Sequence, residues 1–153
     1  MFYNMSDVSN WETDNSILDL EEAKKYISTI DNYPLPLDVV LPAYSWGVLF
    51  RNGELIKLLP DIKKQSLEQF EKIDNSRFSV NESTYFAQQY LYENDLIRYE
   101  SISPDALLKT ANVLSVLLEN PNLTVGFYHL GTHSFEEFSV KNYKDVLEIF
   151  EKK

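Results

Sequence analysis

Cysteine is absent from the 153 residues, which excludes a disulfide framework, a thiolate nucleophile and a Cys-ligated zinc site. Glycine is scarce: Gly47, Gly53, Gly126 and Gly131 are the four present, and they do not cluster into a phosphate-cradling loop. A Gly-x-Ser-x-Gly nucleophile motif is also missing. No apolar run approaches the ~18 residues of a membrane-spanning helix. Residues 1–15 have neither the basic start nor the apolar stretch of a signal peptide. The default expectation is therefore a cytoplasmic chain with no membrane partner, unless an upstream segment carries a signal. Cations are in deficit too, with 14 Lys plus Arg against 24 Asp plus Glu, a net charge of −10. That balance argues against a phosphate-backbone partner, so no nucleic acid is expected. What is present in quantity is apolar and aromatic: 44% hydrophobic residues, 14% aromatic, enough to exclude disorder and build one core-bearing domain over residues 1–153.

Residues 1–5 are apolar and aromatic up to Ser6-Asp7 and read as a buried strand. Ser16 and Asp19 have capping-box spacing, followed by Leu20, Ala23, Ile27 and Ile30 at helical intervals, which predicts a helix to about residue 31. The prolines at 34 and 36 stop it. Residues 37–41 form the next strand. Val39, Val40 and Leu41 are consecutive rather than alternating, the pattern of a parallel strand covered on both faces. Trp46, Val48 and Phe50 alternate up to Asn52-Gly53, and another apolar run follows, which predicts a hairpin closed by a type I′ turn. A helix is expected over 61–73, and short strands over 77–80 and 85–100 with a break at 93–95. Ser103-Pro104-Asp105 opens a helix with Leu107, Ala111, Leu114 and Leu118 on one face. Residues 123–130 form a strand, and Asn142 with Asp145 is expected to cap a last helix carrying Val146, Leu147 and Phe150.

This order implies an α/β fold with mainly parallel strands and a hairpin-rich α+β insertion at about 46–101. Met1-Phe2-Tyr3-Asn4 resembles the Met-x-Tyr-Asp strand of chitinase-like (β/α)8 barrels, the family-18 glycoside hydrolases. Pro42-Ala43-Tyr44-Ser45-Trp46 is similar to that family's following Gly-x-Pro-x-Tyr-Gly strand end, after which an α+β insertion commonly comes. On this resemblance the chain would be the C-terminal half of a TIM-type barrel, with Val125 to His129 in the last strand. The family's acidic catalytic strand is absent from these residues, Asn4 stands for its Asp, and Leu41 for its first Gly. The resemblance therefore implies a carbohydrate-active protein that contributes rim contacts to a saccharide rather than the main catalytic acid. The alternative is a non-catalytic carbohydrate-binding or interaction protein on a similar skeleton. A half barrel would also leave open sheet edges, through which self-association is expected.

Ligands of parallel sheets bind past the carboxyl ends of the strands. The residues expected there are Tyr3, Asn4, Asp7, Tyr44, Trp46 and His129. Asp7 is either a sugar-binding acid or a turn cap. Tyr44 and Trp46 offer rings for stacking on a sugar, although Trp46, Val48 and Phe50 also form a packing stripe. Arg98 and Glu100, two apart on one strand face, either clamp a polar ligand or form a structural pair on a solvated face. His129 and His133 are four apart in a strand and loop, where they do not share a face as on a helix, so no metal site and no cofactor is expected.

Overall fold

The computed structural model describes residues 6–27, 35–118, 120, 122–129, 131 and 138–152. The expected strand over 1–5, with Tyr3 and Asn4, lies outside them, as does the predicted helix beyond residue 27.

The mainly parallel partial barrel is not observed. Among the described residues a parallel ladder forms between β1 (Val39–Pro42) and β9 (Val125–Tyr128), in register from Val39 opposite Val125 to Pro42 opposite Tyr128. The dominant sheet is five-stranded and antiparallel. It contains β2 (Ser45–Arg51), β3 (Glu54–Pro60), β4 (Glu71–Lys72), β5 (Arg77–Ser79) and β8 (Leu96–Ser101) in the order β3-β2-β8-β5-β4. A separate hairpin joins β6 (Thr84–Phe86) to β7 (Gln89–Leu91). Turn geometry explains the outcome, because two-residue turns connect antiparallel strands while parallel ones require a long crossover. Asn52 and Gly53 adopt φ of 52° and 82° between Arg51 and Glu54, the expected primed turn. Ala87 and Gln88, at φ 47° and 60°, close the β6–β7 hairpin without a glycine. Val39 to Leu41 does pair in parallel and is largely buried, whereas its partner β9 is half-buried.

The expected helix over 61–73 is replaced by a single 3-10 turn at Lys64–Leu67, β4 and irregular chain. Ile62, Leu67 and Phe70 lie at irregular spacing because they drop separately into one core with Leu49, Leu59, Phe78, Leu91 and Ile97. Gly47 is closely packed there: a Cβ on it would lie 2.5 Å from Ile62 Cδ1 and 3.2 Å from Ile97 Cγ2, so a larger residue would force the Ile62 side chain to move.

A second core forms around the β1–β9 pair and the helices α1 (Leu20–Ile27), α2 (Pro104–Leu117) and α3 (Val140–Glu151). Leu107, Ala111, Leu114 and Leu118 face it, as their spacing predicts, with Ser103 accepting the Ala106 amide at the α2 N-terminus. Asp19, not Ser16, caps α1 by accepting from the Glu21 and Glu22 amides. The last helix begins earlier than expected, with Ser139 as its cap and Asn142 completing the capping box.

Candidate functional site

Residues 6–16 cross the face of the large sheet opposite the Leu49–Ile97 core, and two arginines on that face hold them. Arg77 and Arg98 stand directly opposite each other on β5 and β8. Like charges so placed repel unless each is neutralised. Here each is met by the crossing segment: Arg98 donates to the Val8 carbonyl at 3.0 Å and to the Asn10 carbonyl. Arg77 reaches the carbonyls of Trp11, Glu12 and Thr13 and the carboxylates of Asp14 and Asp74. Trp11 lies beneath the Arg77 guanidinium and edge-on to Phe50 at 5.1 Å, while the Arg98 guanidinium covers the Phe50 ring.

The pair expected either to clamp a polar ligand or to lie on a solvated face is therefore interior. Arg98 is 0% and Glu100 1% exposed, joined at 2.7 Å. The other Glu100 oxygen accepts the Ser16 amide at 2.8 Å, the Ser16 hydroxyl at 2.7 Å and Trp46 Nε1 at 2.9 Å. A carboxylate with this many donors is satisfied without a ligand. Ser16, expected to cap a helix, is engaged here instead. Asp95, another carboxyl near the hairpins, is also interior, in a two-pronged bond with Arg51 at 2.7 and 2.8 Å. Burial is the largest influence and opposes its ionisation, but the Arg51 bonds, the Tyr92 amide and the Arg51 charge together outweigh it and hold the carboxyl below its ordinary range. Asp7 is exposed at a turn, accepting the Ser9 hydroxyl at 2.6 Å and amide at 2.9 Å, which lower its pKa.

Tyr44, Trp46 and His129 do come together, where the two sheets meet. The Ala43 amide bonds the Tyr128 carbonyl at 2.6 Å just past the parallel ladder, and the Asp61 amide bonds the Ser45 carbonyl at 3.3 Å. These bonds bring the ends of β1, β9 and β3 to one corner. Tyr44 is buried at its centre, edge-on to Trp46 at 5.4 Å and to Tyr128 at 6.0 Å, with the His129 ring also 6.0 Å away. His129 Nε2 lies 3.4 Å from Asp61 Oδ1, both side chains nearly half exposed. Trp46 packs into the helix-side core with its Nε1 on Glu100, so it backs Tyr44 rather than presenting its own face.

The outward surface of this corner belongs to Tyr128, 45% exposed, with His129 and Asp61. Asp61 also lines a groove of about 620 Å³ with Lys57, Pro60, Lys63, Ser66 and the β6–β7 turn residues Ala87 and Gln88. Sequence reasoning missed both Asp61 and Tyr128. Asp61 carried one usable signal, an acid directly after the proline that ends an apolar strand, and it adopts a φ of 52° that Asp tolerates better than most residues. Tyr128 sat beside a chosen residue, but its register opposite Pro42 was needed to place it at the ladder's end. Among the described residues no group of acidic and histidine side chains could hold a metal ion, and no helix is long and apolar enough to cross a membrane.

Comparison with family models, curated proteins and solved structures found no match to this chain.

Proposed function

We propose that this protein binds a neutral or basic saccharide, without hydrolysing it, at the corner formed by Tyr128, His129 and Asp61 and along the adjoining groove. The observation that carries the reading is the half-exposed Tyr128 ring beside a His–Asp pair, at the mouth of a groove whose lining mixes apolar residues with Asp61, Lys63 and Gln88. A sugar offers an apolar C–H face, which stacks on an aromatic ring, and hydroxyls, which need donors and acceptors at its edge. Tyr128 supplies the ring. Asp61 supplies an acceptor, Lys63 and the Gln88 amide supply donors, and His129 can serve as either.

Binding is favoured over hydrolysis by the carboxylate inventory. Glycoside cleavage uses two flanking carboxyl groups, or one with substrate assistance. Among the described residues Asp61 is the single carboxylate lining the groove, and Glu100 and Asp95 are engaged in interior ion pairs. The net charge of −10 disfavours the approach of polyanionic glycans.

Calorimetric titration with hexasaccharides of glucose, N-acetylglucosamine and glucosamine tests this. At least one should bind, and Tyr128→Ala should weaken it about 2- to 12-fold, the value of a stacked aromatic contact. Melting should change little, because the Tyr128 ring is half exposed. Absence of binding to all three at millimolar concentration, or equal binding by Tyr128→Ala, would overturn the assignment.

A further inference from the structure

The outer face of the β6–β7 hairpin carries exposed aromatic side chains that the saccharide corner does not use. Tyr85 and Tyr90 are directly opposite each other across the ladder. Tyr92 follows on the same face, two residues on from Tyr90. Their exposures are 69%, 47% and 51%. The alternate residues, Phe86 and Leu91, turn inward against the sheet core. The hairpin is thus anchored by one face and displays tyrosines on the other.

One of these rings is already occupied, and its occupant shows what the surface accepts. The Arg51 guanidinium sits 4.2 Å above the Tyr92 ring while Asp95 binds its nitrogens from the side. The unit is a cation on an aromatic face with a carboxylate alongside. Tyr85 and Tyr90 repeat the aromatic part without a guanidinium of the chain above them among the described contacts. The carboxylates are at hand as well. Glu82 and Glu93 flank the base of the hairpin, where the Glu93 amide bonds the Ser83 hydroxyl at 2.9 Å, and both are exposed.

We infer that the Tyr85–Tyr90–Tyr92 face is a docking site for an extended peptide segment bearing arginines or lysines. Cationic side chains would lie over the rings of Tyr85 and Tyr90, with Glu82 and Glu93 neutralising them, as Asp95 neutralises Arg51 over Tyr92. Charge complementarity selects this occupant over an apolar one: the chain is acidic overall, Arg51 over Tyr92 is spent in its own ion pair, and Lys57 reaches the hairpin at Gln89, which alternates with Tyr90 and so lies on the other face. Ring geometry selects it over a flat saccharide, since Tyr90 and Tyr92 meet at 80° with centroids 5.2 Å apart and make a notch rather than a platform. The site is separate from the saccharide corner and stands or falls independently of it.

The test is titration of the full chain with an acetylated (Gly-Arg)3 amide peptide and its (Gly-Gln)3 counterpart, followed by NMR of the tyrosine ring signals. The arginine peptide should shift Tyr85, Tyr90 and Tyr92, weaken with added salt, and bind more tightly than the glutamine peptide. Tyr85→Ser/Tyr90→Ser leaves the net charge unchanged and should weaken binding about tenfold through the loss of two cation–π contacts. Glu82→Gln/Glu93→Gln should weaken it as well while leaving the rings in place. Equal affinity for the tyrosine double variant, with its fold verified by circular dichroism, would reduce the effect to diffuse attraction by net charge and overturn the site. A hexasaccharide that shifts these tyrosines while the arginine peptide does not would overturn it too, in favour of a second sugar surface.

Discussion

Glu100→Ala removes the acceptor on which four donors converge. Arg98 loses its interior counter-ion, and the Ser16 amide, the Ser16 hydroxyl and Trp46 Nε1 all lose their partner. Breaking a buried ion pair by removing one member costs about 3–5 kcal/mol, because the remaining charge stays in a medium that cannot solvate it. The orphaned donors push toward the upper end, but the penalties overlap and do not add in full. Against a native stability of about 5–15 kcal/mol, this is a large fraction of the total. At ~2–4 °C per kcal/mol for a chain of this size, the melting temperature should fall by about 6–20 °C. Urea unfolding followed by tryptophan fluorescence is the natural assay, since Trp46 donates to Glu100 directly and Trp11 packs on Phe50, the ring that the Arg98 guanidinium covers. An internal check follows from the same physics: Arg98→Leu/Glu100→Leu should be more stable than either single variant, because no lone charge remains. A loss below about 1 kcal/mol for Glu100→Ala, the range of a solvent-exposed pair, would refute the interior placement of the network.

Two further outcomes rest on other parts of the fold. Gly47→Ala should destabilise by about 1–3 kcal/mol by overpacking. Ile62→Val, which removes the Cδ1 atom that the new methyl would meet at 2.5 Å, should recover part of that loss, as a double-mutant cycle in urea would show. Asp74 accepts the Ser76 amide and an Arg77 guanidinium bond that together hold its carboxyl at about 2, well below the ordinary 3.8. A depressed folded-state pKa contributes stability that is present above the unfolded value and is lost as pH falls through the folded one. The urea midpoint should therefore drop between about pH 4 and pH 2, and Asp74→Asn should flatten part of that drop. An unchanged profile in the variant would assign the acid sensitivity elsewhere.

Local signals were legible in the sequence wherever a single element carried its own stop and start. The Asn52-Gly53 hairpin and the Pro104–Leu117 helix with its Ser103 cap are of this kind. Val39-Val40-Leu41 correctly signalled a parallel neighbour, but a run of apolar residues cannot say how many neighbours there are. The run has one partner strand rather than the neighbours of a barrel, and the segment expected as an insertion holds most strands of the antiparallel sheet. The 61–73 segment misled because Ile62, Leu67 and Phe70 are buried one at a time from irregular chain, leaving an apolar count without a period. For the site, Tyr44 and His129 were legible as polar aromatics past strand ends. Arg98 and Glu100 were not, since their burial depends on residues 8–16 folding across a sheet about 90 positions away in sequence, which no local pattern records. Asp61 joined the corner through a hydrogen bond to Ser45 and proximity to His129, both set by tertiary structure.

The saccharide corner is the central claim, and a chemical-shift map of the full chain titrated with the tightest-binding hexasaccharide tests it most directly. The account predicts that shifts concentrate on Tyr128, His129 and Asp61, with weaker ones at Lys63 and Gln88 along the groove, and none at the interior Arg98–Glu100 pair. Shifts that leave Tyr128, His129 and Asp61 untouched while moving residues elsewhere would contradict it.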